Sequence, residues 1–75
     1  MTCDINMGLF ANDWNARYAQ AKLTDAGLVS FRQALMTSKG KLTRVRVGPF
    51  DSKAEANTAV NKIHELGLDA VVIRL

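Results

Sequence analysis

The chain predicts an α+β domain built as strand, helix, strand, strand, helix, strand, and three observations carry that prediction. The sequence repeats itself at an offset of forty residues. Each copy passes from a period of two to a helical period and back, and a short polar segment joins the copies. At that offset Gly8 pairs with Gly48, Phe10 with Phe50, Ala16 with Ala56, Ala19 with Ala59, Lys22 with Lys62, Gly27 with Gly67 and Leu28 with Leu68. These are seven identities in twenty-one ungapped pairs, so one unit is written twice, over residues 5–35 and 45–75. The 75 residues hold a single hydrophobic core and form one domain over 1–75.

In the first unit Ile5 and Met7 alternate with Asp4 and Asn6, a strand pattern with the apolar pair facing the core. Asn12 then stands in an N-cap register, and Ala16, Ala19, Gln20 and Leu23 mark one face of a helix. The small alanines let that helix lie close to a sheet. Gly27 stops it, and Val29, Phe31 and Leu35 form a second apolar alternation. The segment Thr37-Ser38-Lys39-Gly40-Lys41 suits a hairpin into the third strand, where Thr43, Val45 and Val47 share one face and Leu42, Arg44 and Arg46 the other. Ser52-Lys53-Ala54-Glu55 has capping-box spacing, and Ala56, Ala59, Val60, Ile63 and Leu66 give the second helix its buried face. Gly67 ends that helix before a last strand bearing Val71 and Ile73. Two right-handed strand–helix–strand units joined by a hairpin make a four-stranded antiparallel sheet. Strands one and three are central and both helices cover one face, which is the ferredoxin-like arrangement βαββαβ.

Alternation assigns the faces. The helix side is expected to bury Ile5, Met7, Val45 and Val47 with Val29, Phe31, Leu35, Val71 and Ile73. The open side is expected to gather Asn6, Arg32, Arg44, Arg46 and Arg74 with the apolar Leu42 and Val72. No acidic residue lies between Asp25 and Asp51, while Arg32, Lys39, Lys41, Arg44 and Arg46 all do. Such a platform fits an anion or a solvated sheet surface.

Composition narrows the chemistry. The chain has 48% hydrophobic and 23% charged residues, a net charge of +3 and no run of eighteen apolar residues. It is globular and inserts no segment into a membrane. One cysteine, Cys3, and one histidine, His64, provide neither an internal disulfide nor a structural zinc site, and no cofactor is implied. Base stacking on RNA needs aromatics where Lys41, Leu42 and Thr43 stand, which disfavours it, and no nucleic-acid partner is expected. The loop Gly8-Leu9-Phe10-Ala11-Asn12 has no thiol pair for copper and no arginine to cradle phosphate. Nucleophilic catalysis lacks a paired base. The sequence therefore reads as a non-enzymatic binding module. Trp14 is expected to pack against the sheet edge or a loop, and Phe10 and Phe50 to be structural.

Gly8-Leu9-Phe10 ahead of a helix, and Thr43-Arg44-Val45-Arg46-Val47-Gly48-Pro49-Phe50 ahead of a capped, alanine-rich helix, resemble the SPOR (sporulation-related repeat) domain over nearly the whole chain. That resemblance implies a bacterial peptidoglycan-binding module of the periplasm or cell envelope, monomeric and without a cofactor. It would recognise glycan strands stripped of their stem peptides and target a parent protein to the division septum. Other envelope or divisome proteins are further partners it implies, and a protein-interaction domain using the same sheet face is the alternative. The implied glycan-binding residues are Asn6, Leu9, Arg32, Leu42, Arg44, Arg46 and Val72. Many members show Gln-x-Gly-Ser-Phe where this chain has Asn6-Met7-Gly8-Leu9-Phe10, and an aromatic where it has Leu42. Arg44 matches a recurrent arginine, and Val72 stands where an apolar contact residue is common. A strand without peptides exposes a lactyl carboxylate, which a guanidinium fork binds bidentately.

Overall fold

The computed structural model describes residues 2–74, so Met1 and Leu75, the ends of the predicted domain, lie outside the described residues. The elements follow the predicted order: β1 (Cys3–Phe10), α1 (Asp13–Asp25), β2 (Ser30–Thr37), β3 (Gly40–Phe50), α2 (Lys53–Glu65) and β4 (Val71–Arg74). The strands form one antiparallel sheet in the order β2-β3-β1-β4, with β1 and β3 central.

Both helices start as their sequences dictate. The Asn12 side chain accepts from the Trp14 N–H at 2.8 Å, and the Ser52 hydroxyl accepts from the Glu55 N–H at 3.1 Å. Each satisfies an amide that has no partner within its own helix. The C-termini are satisfied reciprocally. Lys22 of α1 donates to the Leu66 carbonyl that ends α2, and Lys62 of α2 donates to the Ala26 carbonyl that ends α1, each at 3.3 Å. The two lysines are repeat equivalents, and each places positive charge where a helix dipole is negative.

The core lies between the helices and the sheet. Ile5, Met7, Val45 and Val47 meet Ala16, Leu23, Ala59 and Ile63, with Phe10 and Phe50 packed against them. Ala16, Ala19, Ala56 and Ala59 are all buried, which brings both helix backbones close to the strands.

Two bulges interrupt the central pair. Ile5 pairs with Val47 and Asn6 with Arg46, but Leu9 pairs with Arg44 and Cys3 with Phe50, so an extra residue sits near Gly8 on β1 and near Gly48 on β3. Gly8 has φ of 106° and Gly48 of 139°, conformations that a side chain opposes. The bulges turn Phe10 and Phe50 inward and Leu9 outward.

The outer strands carry the opposite parity to the one expected. Cross-strand partners share a face, and Ser30 pairs with Val47, Arg32 with Val45 and Ala34 with Thr43. Ser30, Arg32 and Ala34 therefore lie on the helix side of the sheet, where Arg32 and Ala34 remain exposed, while Phe31, Gln33 and Leu35 lie on the open side. The turn decides this: Thr37 pairs directly with Gly40 across the two residues Ser38 and Lys39, which fixes every later pairing on β2. On β4, Val72 pairs with Ile5 and Arg74 with Cys3, so those two also face the helix side. Val71 and Ile73 are turned outward beside Asn6 and Asp4.

Candidate functional site

The face of the sheet free of helices is the candidate site, and its middle is set by three cross-strand rows. The first runs Phe31, Arg46, Asn6 and Val71 across all four strands. The second runs Gln33, Arg44 and Leu9, and the third joins Leu35 to Leu42. Asp4 and Ile73 flank the first row on the other side. Phe31 is 50% exposed and Val71 64%, so the two edge strands present apolar shoulders to a polar centre.

Of the seven residues predicted for this site, five are on it: Asn6, Leu9, Leu42, Arg44 and Arg46. Arg32 is not. It lies on the helix side, where its guanidinium reaches Asp13 at the start of α1 at 3.3 Å. Val72 is not either, because it packs against the core opposite Ile5. Arg74, also expected on the platform, shares the helix side with Cys3. Phe31, Gln33 and Val71 take their places on the open face, and Phe31 is correspondingly absent from the core.

The two arginines at the centre differ in their surroundings. Arg46 is 3.7 Å from a carboxylate oxygen of Asp4. Arg44 has no ion-pair partner among the described residues, and its Nε is buried without a hydrogen bond. A buried donor left unsatisfied is costly, so Arg44 is the guanidinium of this face whose hydrogen bonding the surrounding side chains leave incomplete. Asn6 is partly committed to the fold: its Oδ1 accepts from the Gly8 N–H at 3.1 Å across the bulge. Its amide NH2 is the end left for a ligand.

On the helix side Asp13 gathers charges. Arg17 donates to it at 2.8 Å, Arg32 approaches from β2 and the Thr43 hydroxyl from β3. The hydrogen bond from Arg17 holds the Asp13 carboxyl below its ordinary range, and the charges of Arg17 and Arg32 act in the same direction. This cluster ties α1 to the sheet and lies away from the open face.

Trp14 and Tyr18 are 75% and 60% exposed on the outer surface of α1, beside Arg17 and Ala21. Trp14 thus points to solvent and not against the sheet edge. No grouping of three or more metal-ligating side chains occurs among the described residues, and no helix is long and apolar enough to cross a membrane. Cys3 is buried in the core and His64 is exposed on α2.

The fold has relatives among solved structures. The crystal structure of the RlpA SPOR domain from Pseudomonas aeruginosa superimposes with a TM-score of 0.87 at 25% identity, covering 97% of this chain and 99% of that one. The solution structure of the peptidoglycan binding domain of the B. subtilis cell wall lytic enzyme CwlC gives 0.74 at 29% identity, covering 96% and 86%. The Spor protein DedD gives 0.63 at 27% identity, with this chain spanning 38% of its length. Comparison with curated proteins gave no match. The family described as the SPOR domain matches residues 4–74, every strand and both helices to within one residue. With that match over almost the whole βαββαβ fold, this chain belongs to the SPOR domain family, whose members are binding modules and not enzymes.

Proposed function

We propose that the domain binds the glycan strands of bacterial peptidoglycan on its open sheet face. It prefers strands denuded of stem peptides, and as a monomeric module of the cell envelope it carries a parent protein to the division septum. The observation that carries this reading is Arg44: a guanidinium without an ion-pair partner among the described residues, its Nε buried and unsatisfied, at the centre of a face with apolar shoulders. Removal of the stem peptide leaves a lactyl carboxylate, and an arginine fork takes such a group with two parallel hydrogen bonds. A strand still bearing peptides lacks that anion and brings bulk to the same atom.

The neighbouring residues have complementary tasks. The Asn6 NH2 donates to a hydroxyl or acetamido oxygen, and Leu9, Leu42, Phe31 and Val71 cover the apolar faces of sugar rings. Arg46, 3.7 Å from the Asp4 carboxylate, flanks the anion site beside Asn6. The peptidoglycan binding domain of CwlC supports the ligand class, since it shares this fold over most of both chains.

Purified sacculi provide the test. Pull-down of the domain is expected to increase after an amidase has removed the stem peptides. Equal capture before and after amidase treatment contradicts the preference for denuded strands, and no capture in either case contradicts glycan binding. The second outcome favours protein docking on the same face, for which the exposed Phe31, Val71 and Ile73 supply apolar surface.

A further inference from the structure

Among the described residues the open face holds the guanidiniums of Arg44 and Arg46 and the carboxylate of Asp4, and that carboxylate is built into the strand framework. Asp4 lies on β1 between Cys3 and Ile5, both of which are buried, and its own side chain is only 14% exposed. A Cβ placed on Gly48 would fall 2.7 Å from Asp4 Oδ1. The absence of a side chain at Gly48 therefore makes the space in which the Asp4 carboxylate sits. From there it reaches Arg46 at 3.7 Å.

The internal repeat supplies a control for this arrangement. At the offset of forty residues, Asp4 corresponds to Arg44 and Asn6 to Arg46. The diagonal from Asp4 to Arg46 is thus the counterpart of the diagonal from Arg44 to Asn6. One guanidinium faces a carboxylate and the other a neutral carboxamide. At equivalent backbone positions, Arg46 has a carboxylate within 3.7 Å and Arg44 has none among the described residues.

We propose that Asp4 is a specificity-determining residue of the open face: by pairing with Arg46 it leaves Arg44 as the single available guanidinium, so that the face accepts one isolated carboxylate and discriminates against closely spaced anions. The consequence for the ligand class rests on the glycan reading above. A face with both arginines free would present two fixed cations two residues apart on one strand and would attract any dense polyanion. With one cation neutralised, a polymer carrying several charges per unit length gains little over a glycan carrying one carboxylate at intervals.

The test measures binding of the intact domain to inorganic polyphosphate and to amidase-treated glycan, with Asp4→Asn compared against Asp51→Asn, which removes the same charge at an exposed site after β3. Asp4→Asn is expected to raise polyphosphate affinity by roughly two- to fivefold at low salt, the size of effect that one released surface charge gives. It is expected to raise glycan affinity less, and Asp51→Asn to change either ligand less than Asp4→Asn changes polyphosphate. Adding Arg46→Gln to Asp4→Asn should remove the gain. Asp4→Ser repeats the comparison with a smaller side chain should the asparagine variant not fold. The proposal is overturned if neither Asp4 variant changes polyphosphate binding, if Asp51→Asn gives an equal gain, or if the gain survives Arg46→Gln. Absence of glycan binding by the unmodified domain would instead count against the glycan reading, and the polyphosphate comparison would still decide the role of Asp4.

Discussion

The two halves of this molecule share a skeleton and differ on its surfaces. Ala16, Ala19 and Leu23 of α1 have Ala56, Ala59 and Ile63 as counterparts in α2, all buried, and Phe10 and Phe50 pack inward from equivalent bulges. Outward positions diverge. Asp4 and Asn6 have Arg44 and Arg46 as their repeat counterparts, and the exposed Trp14 and Tyr18 of α1 correspond to Ala54 and Thr58 of α2. Packing keeps both copies alike inside, because each must fit one side of a shared core. The outer residues are free of that demand, so the two copies differ in surface charge and polarity.

That comparison is broken most severely by cavities in the core. Leu23→Ala and Ile63→Ala remove repeat-equivalent, fully buried side chains, and each is expected to cost about 2–5 kcal/mol. For a domain this small that is a large share of the total stability. Urea unfolding of both variants checks it, and a large loss in one with none in the other would show that the halves do not share the core equally.

The bulge glycines come next. Alanine at Gly8 or Gly48 must adopt a positive φ, a strain on the order of 1–3 kcal/mol. Only at Gly48 does the new Cβ also meet Asp4, whereas at Gly8 it enters open space. Gly48→Ala is therefore expected to melt lower than Gly8→Ala, and the reverse order would place the Asp4 carboxylate elsewhere.

A smaller effect concerns acid. The Asp13 carboxyl is held below its ordinary range, chiefly by its hydrogen bond from Arg17, so its contribution is present above the carboxylate pKa of the unfolded chain. That contribution is lost as pH falls through the lowered value of the folded state. Asp13→Asn should narrow the difference in melting temperature between neutral and acid solution relative to the unmodified domain, and only modestly because the site is solvated. The second half has no such cluster at Lys53, the counterpart of Asp13.

The smallest change is expected at Trp14. Because it is largely exposed and its counterpart is Ala54, Trp14→Ala should alter stability by no more than about 0.5 kcal/mol. A larger loss in thermal unfolding would mean that the first helix depends on this ring and that the halves differ in packing as well as in surface.

The repeat made element order, sheet topology and the central strands legible, since Val45, Val47, Ile5 and Met7 have polar neighbours that leave one choice of face. On the edge strands the apolar residues do not mark the buried side, so alternation alone assigns their faces the wrong way round. On β2 the apolar residues Phe31 and Leu35 face outward, and the inward positions are Ser30, Arg32 and Ala34. Ser30 is tolerated there because Gln20 donates to its hydroxyl at 3.0 Å, and Arg32 because it reaches Asp13. The signal that would have placed them is the two-residue turn at Ser38 and Lys39: with Val45 and Val47 buried, it forces Arg32 and Ser30 beside them. The same parity carried to β4 turns Val72 inward and Val71 outward. Pairing of Arg46 with Asp4 was not legible, since it depends on the bulge and on the space that Gly48 leaves.

The central claim is that Arg44 reads a group on denuded glycan from the open face. Binding of amidase-treated glycan strands by Arg44→Ala, measured against Lys53→Ala, tests it most directly, because both variants lose one positive charge and only Arg44 lies on that face. Arg44→Ala is expected to bind more weakly by about 1–3 kcal/mol relative to Lys53→Ala, the range for a lost charge-assisted hydrogen bond. Arg44→Lys should recover part of the loss, since a point charge does not reproduce the planar fork. Equal binding by the two alanine variants would make Arg44 a solvated arginine and contradict the account.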